Sequence, residues 1–197
     1  MGIGSLTSKK GTRALGIAES YSGREQSVLC GVSMRKDGNI DGIRFVSVSV
    51  GGLDATHAVI SLIQDFERRD INIILLGGCI ISWFNIIDTR RVNEATGIPV
   101  ICVTYENSDG LLTDIRRHFP DDEYRLSLYR GLGDRIPVYL ETGKTIYIRP
   151  FGIPERDAAT ICDQFTLDGR IPEPIRVARL AARGLMRYEH GSRPVLL

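Results

Sequence analysis

Three runs rich in β-branched and apolar residues, Thr12–Glu19, Ser27–Arg35 and Ile40–Val50, follow one another before any helical period appears. The links between them are too short for a crossover, so neighbouring runs must pair antiparallel. Ser20–Gln26 contains Ser-Gly, and Lys36-Asp37-Gly38-Asn39 carries the Asp-Gly signal of a hairpin. The expected product is an antiparallel meander. After Gly51-Gly52-Leu53 the period changes, with Ala55, Val59, Leu62, Ile63 and Phe66 recurring at three and four residues. That is one face of a helix reaching about Arg69, with Asp54 at its N-cap position.

The pattern then alternates: a strand at Asn72–Leu76, a helix at about Phe84–Thr96, a strand at Val100–Tyr105 and a helix at about Leu111–Phe119. Such alternation implies parallel pairing through right-handed crossovers. Three antiparallel strands followed by a βαβ unit is the order of the ribonuclease H-like fold, an α/β class with a mixed sheet. A Rossmann fold would place a helix and a Gly-x-Gly-x-x-Gly turn after the first strand, and neither occurs. Beyond Asp122, Ile136–Leu140 and Thr145–Arg149 flank the turn Glu141-Thr142-Gly143-Lys144 as a hairpin, and helices are expected near Glu155–Leu167 and Glu173–Tyr188. No Gly/Ser-rich or Pro-rich linker divides these parts. The expectation is a single domain over 1–197, a core over 1–122 with a C-terminal hairpin and helices over 123–197.

Composition sets the surroundings. Charged residues are 25% and apolar residues 43% of the 197, with a net charge of +1, which reads as a globular chain rather than a disordered one. Near-neutrality argues against a generally basic nucleic-acid binder but leaves local patches open. No apolar run approaches the roughly 20 residues a bilayer needs, and Met1 to Gly11 lack the apolar centre of a signal peptide. A cytoplasmic protein with no membrane partner is expected. Cys30, Cys79, Cys102 and Cys162 are widely spaced, without zinc or redox spacing, and read as buried reduced thiols; Cys79 is a lesser candidate for a nucleophile.

Chemistry should gather where strands end. The stretch Leu75–Asp88 runs from a buried strand through Gly77-Gly78 into Trp83-Phe84-Asn85. Strand carboxyl ends in α/β sheets open onto the ligand crevice. Phosphodiester cleavage by a hard cation needs converging carboxylates. The candidates are Glu19 at the end of the first strand, Asp54 before the first helix and Asp88 one turn into the second. Each also has a plainer role: a solvated strand end, an N-cap, or a favourable charge at a helix start. Trp83 and Phe84 would stack on bases and Asn85 would read a base edge or hold a phosphate, unless the tryptophan packs in the core. In the last helix Arg176, Arg179, Arg183 and Arg187 step by three, four and four, opposite Ala178, Ala181, Ala182 and Leu185. Such a row can track phosphates, or it can be a solvated face. His57, His118 and His190 show no metal-ligand spacing.

Four blocks together resemble a known family: Lys10-Gly11-Thr12-Arg13-Ala14-Leu15-Gly16-Ile17-Ala18-Glu19-Ser20; Val50-Gly51-Gly52-Leu53-Asp54-Ala55-Thr56; Leu76-Gly77-Gly78 with Phe84-Asn85-Ile86-Ile87-Asp88; and Ile171-Pro172-Glu173-Pro174-Ile175-Arg176-Val177-Ala178. The chain resembles the largely archaeal endonuclease dU family, related to endonuclease V, from about residue 9 to 190. The resemblance implies a ribonuclease H-like fold and Mg²⁺- or Mn²⁺-dependent cleavage of DNA at deaminated bases, uracil or hypoxanthine. Sites of the endonuclease V kind use an acid in the first strand, one near the first helix and an Asp ending the next strand. The matching positions here are Ala18, Asp54 and Gly77, two of which are not acids. Glu19 neighbours Ala18 but points to the other sheet face. The catalytic expectation therefore rests on Glu19 and Asp54, with Asp88 as a further metal ligand. DNA contacts are expected from Gly77, Gly78, Trp83, Phe84, Asn85, Arg176, Arg179 and Arg183. The alternatives are a relative that binds nucleic acid without cutting, or a protein with a pocket for a nucleotide-like molecule at the Gly52 and Gly77-Gly78 loops. RNA and homodimer formation remain open as partners.

Overall fold

A computed structural model describes residues 7, 11–21, 25–107 and 110–189. Lys10 and His190 lie outside them. The meander is β1 (Arg13–Ser20), β2 (Gln26–Arg35) and β3 (Ile40–Ser49), and α1 follows at Ala55–Asp65. The helix stops short of Arg69 because Phe66 caps it and Glu67 turns left-handed at φ 49°. Next come β4 (Ile73–Leu76), a small hairpin of β5 (Ile80–Ile81) and β6 (Asn85–Ile86), α2 (Thr89–Thr96) and β7 (Val100–Thr104). The helix expected from Phe84 therefore begins five residues later. Asp88 is its N-cap, accepting from the Arg91 amide at 3.1 Å, rather than lying one turn inside. The chain continues with α3 (Leu112–His118), α4 (Glu123–Gly131), β8 (Ile136–Tyr139), β9 (Thr145–Phe151), α5 (Glu155–Gln164) and α6 (Glu173–Glu189). The sequence reading did not foresee α4, although Asp122 marks its start by accepting from the Arg125 amide at 2.9 Å.

Seven strands form one sheet in the order β3-β2-β1-β4-β7-β9-β8. Both β1/β4 and β4/β7 are parallel, and the other pairs are antiparallel. This is the mixed ribonuclease H-like sheet, with the C-terminal hairpin hydrogen-bonded into it. The central strands are buried on both faces, which is why β4 reads Ile-Ile-Leu-Leu without alternation. Leu15, Ile17, Ile74 and Leu76 face a layer holding α1, α2, α3 and α4. Ala14, Ala18, Ile73 and Leu75 face α5 and α6. Each buried Leu or Ile contributes about 1.5–3 kcal/mol, so the two layers supply most of the drive to fold. Among the described residues no helix is long and apolar enough to cross a membrane.

The cysteines depart from the expectation. Cys79, three residues past β4, lies beside Cys102 of β7 with 5.9 Å between Cα atoms, and the two are joined as a disulfide. The parallel β4/β7 pairing brings them together, something spacing alone does not reveal. A disulfide-bonded sulfur is no thiolate, so Cys79 is not a nucleophile in this state. Cys30 and Cys162 are buried free thiols, and burial pushes each pKa up to about 12.

Candidate functional site

The turn joining β5 to β6 is held in an unfavourable conformation. Ser82, Trp83 and Phe84 are consecutive non-glycine residues with φ of 41°, 58° and 64°. Each such residue costs about 1–3 kcal/mol and persists only where its surroundings fix it. Here they are fixed from three sides. The Ser82 amide donates to Glu19 Oε2 at 3.1 Å, and the Ser82 hydroxyl contacts both Glu19 and Ser27. Gly51 donates its amide to the Ser82 carbonyl at 2.6 Å. The third support is Arg125 of α4, 3% exposed, whose guanidinium donates to the carbonyls of Gly51 at 2.9 Å, Gly52 at 3.0 Å and Phe84. Asp122 balances its charge at 3.0 Å, and the Phe119 ring lies 3.9 Å from it.

What the turn displays is an aromatic surface. Trp83 is 49% exposed, so it lies outside the core, 4.8 Å from the His118 ring and 5.6 Å from Phe84. Phe84 stacks on His118 and meets Phe119 edge-on.

The three candidate acids take different positions. Glu19 is half-buried beneath the turn, on Ser82. Asp54 accepts from the Ser49 amide at 3.0 Å and hydroxyl at 2.9 Å, and from Asn85 Nδ2 at 2.6 Å. Burial would raise its pKa, but the Asn85 amide and the Ser49 donors outweigh it and hold the carboxyl below its usual value. Asp54 stands at the N-cap of α1 as expected, yet its side chain does not cap the helix. Instead Asn85 Oδ1 accepts from the Ala55 amide at 3.1 Å, and Asn85 Nδ2 also donates to the Ser49 carbonyl at 2.9 Å. Asn85 is 0% exposed and spends its amide on these bonds, so it orders the turn instead of facing a ligand. Asp88 caps α2. Among the described residues no three His, Cys, Asp or Glu side chains are grouped to hold a metal.

Helix α6 occupies the other two positions. A Cβ built on Gly77 would lie 2.8 Å from Ile175 Cγ2 and 3.6 Å from Ala18 Cβ, and one on Gly16 would strike Pro174 at 2.2 Å. Ala18 and Gly77 therefore face α6 together, while Glu19 points to the opposite sheet face. The buried stripe of α6 is Ile175, Ala178, Ala182 and Met186, a quarter turn from the arginines. Arg176 is bound to Glu173 at 2.8 Å, Arg183 is exposed, and Arg179 leans over the Tyr105 ring at 5.3 Å. Gly77 and Gly78 border a cavity of about 530 Å³ that Arg179 shares with Arg135, Arg149 and Arg170. The sequence reading missed these three, as well as Arg125, Ser49 and Ser82. They are scattered along the chain, and only the strand-end glycines mark the place where they meet.

Comparisons with known proteins follow the same lines. The sequence model described as endonuclease dU matches residues 10–186. A UPF0215 protein of Pyrobaculum calidifontis is 38% identical over 179 residues, covering 88% of this chain and 97% of its own. A solved protein of unknown function from Archaeoglobus fulgidus superposes with a TM-score of 0.77 at 27% identity, covering 88% of this chain and 98% of that one. Endonuclease V of Ciona intestinalis, solved with a DNA containing an inosine, superposes with a TM-score of 0.61 at 17% identity, covering 91% and 88%.

Proposed function

Because the chain belongs to the endonuclease dU family and shares the fold of endonuclease V, we propose that it acts on DNA as a nuclease directed at deaminated bases, uracil or hypoxanthine. The observation that carries this reading is the left-handed turn at 82–84, which leaves Trp83 49% exposed one residue after Ser82, the partner of the Glu19 carboxylate. Trp83 and Phe84 offer π faces to a base. Glu19, oriented by Ser82, accepts a proton from water as the water oxygen bonds to phosphorus; the phosphorus–oxygen bond to the leaving strand breaks, and that oxygen takes a proton from solvent. Asp54 and Asn85 act one step removed, by holding the turn and the start of α1.

Magnesium or manganese, which the fold implies, does not fit this donor set as a resident ion. Asp54 is already engaged by Ser49 and Asn85, Asp88 caps a helix, and Ile175 fills the space that a side chain at Gly77 would need. No step above runs through a metal. The same filled space favours a second reading, in which the protein binds nucleic acid without cutting it.

One assay separates the two. A labelled duplex with a single deoxyuridine or deoxyinosine, beside an undamaged control, is incubated with the protein in Mg²⁺, in Mn²⁺ and in EDTA. The expected result is a nick in the damaged duplexes whose rate falls by about 100-fold or more in Glu19→Gln, the usual range for losing a general base. DNA retained on the protein without a nick in any arm transfers the case to the binding reading. Neither nick nor retention overturns both.

A further inference from the structure

We propose that the cavity at the carboxyl ends of β4 and β7 is a binding site for a phosphate monoester, supplied by the end of a nucleic-acid strand or by a free nucleotide. The site stands beside the nuclease reading rather than on it, since none of its groups belongs to the Trp83 turn. The cavity holds about 530 Å³, within the range of small-ligand pockets. Its charge is one-sided: Arg135, Arg149, Arg170 and Arg179 line it from β8, β9 and α6 and their connections. Among the described residues the sole acid lining it is Glu106, already bound to Arg170 at 2.6 Å.

Part of this cluster is withdrawn from water. Arg149 is half-buried, and burial first, then Arg135, lower its pKa against the opposing influence of Tyr129 and Asp134. Like charges converging on one half-buried cavity favour an anion that joins them. The Tyr105 hydroxyl is buried beside the cavity, and Arg170 and Arg179, 5.8 and 5.3 Å from its ring, partly offset the rise in pKa that burial gives it. A phosphate oxygen in the cavity would accept from that hydroxyl. Backbone phosphodiesters carry one charge each and spread along a groove. A concave cluster of guanidinium groups suits a dianion, which accepts several forked donors at once.

The test uses the full chain at fixed salt, since binding to any strand changes with ionic strength. Affinity is measured for one short single strand bearing a 5′-phosphate, a 3′-phosphate or hydroxyl ends, with dTMP and inorganic phosphate as competitors. Wild type is compared with Arg149→Gln, Arg179→Gln and Tyr105→Phe, each checked by thermal melting for an intact fold. The expected result is about tenfold or tighter binding of one phosphorylated end over hydroxyl ends, matching one lost charged hydrogen bond or more. That preference should be competed by dTMP and abolished in Arg179→Gln. If dTMP binds and the strand ends are not distinguished, the source is a free nucleotide and the site stands. Equal binding of all three strands with no competition overturns the proposal, as does a phosphate preference that survives in every folded variant. Cleavage at deoxyuridine is scored separately, so failure of the nuclease reading leaves this result legible.

Discussion

Trp83 is the sole tryptophan of the chain, so tryptophan emission, excited apart from the seven tyrosines, reports on the 82–84 turn alone. Binding of single-stranded or damaged DNA should quench or shift that emission if bases stack there. Trp83→Ala should weaken DNA affinity by about 5- to 150-fold, the equivalent of about 1–3 kcal/mol for one stacked base. An unchanged dissociation constant would remove the indole from the contact surface. Glu19 and Asp54 look equivalent in the sequence, both near strand ends, and differ sharply in three dimensions. Asp54 accepts from two residues, Ser49 and Asn85, whereas both Glu19 oxygens accept from Ser82 alone. The distinction depends on which donors fold back onto each carboxylate, and donors such as Ser49 and Ser82 have no signature beyond being serine.

At the level of elements, α6 decides what the β1/β4 junction can carry. Gly77→Asp should destabilise the fold by about 1–3 kcal/mol, because the new Cβ meets Ile175 and cannot be absorbed without shifts. Adding Ile175→Ala should recover part of that loss, and the two denaturation midpoints check it. If Gly77→Asp alone is neutral, α6 does not press on the junction. Most elements were readable because their periods were strong: β1 to β3, α1, β4, β7 and the C-terminal hairpin and helices fall within a few residues of expectation. The failures were local. The helix expected from Phe84 covers β6 and its approach to α2, since Phe84, Ile86 and Ile87 are apolar and the one turn former among them, Asn85, follows the left-handed residues instead of lying within them. Helix α4 carries a weak signal because the small apolar face of Leu126 is outweighed by charge, although Asp122 offers a cap.

Across the whole molecule, stability should be bounded on both sides in pH. Asp41, Asp54 and Asp70 have lowered pKa values: at Asp41 hydrogen bonds and the Arg13 and Arg68 charges outweigh burial, at Asp54 the hydrogen bonds from Asn85 and Ser49 do so, and at Asp70 the chief cause is Arg68. Their contribution is present above the unfolded carboxylate value of about 3.9 and is lost as pH falls through the folded values. Cys30 and Cys162 behave oppositely. With folded pKa values raised to about 12, they add stability that is full below the unfolded thiol value of about 8.5 and declines as pH rises from there. Denaturant midpoints measured in a pH series should therefore show a plateau between these limits. Cys30→Ala with Cys162→Ala should flatten the alkaline side, and an unaltered alkaline fall would place its cause elsewhere.

The tight seat of α6 against Gly16 and Gly77 also bears on how the protein is made. Every strand among the described residues precedes this helix in the chain, yet the helix covers Ala14, Ala18, Ile73 and Leu75 at the centre of the sheet. During synthesis the sheet would have to wait, one apolar face uncovered, until residues beyond Glu173 leave the ribosome. The interval between assembling the strands and covering them is thus the period in which a nascent chain of this kind most needs a chaperone.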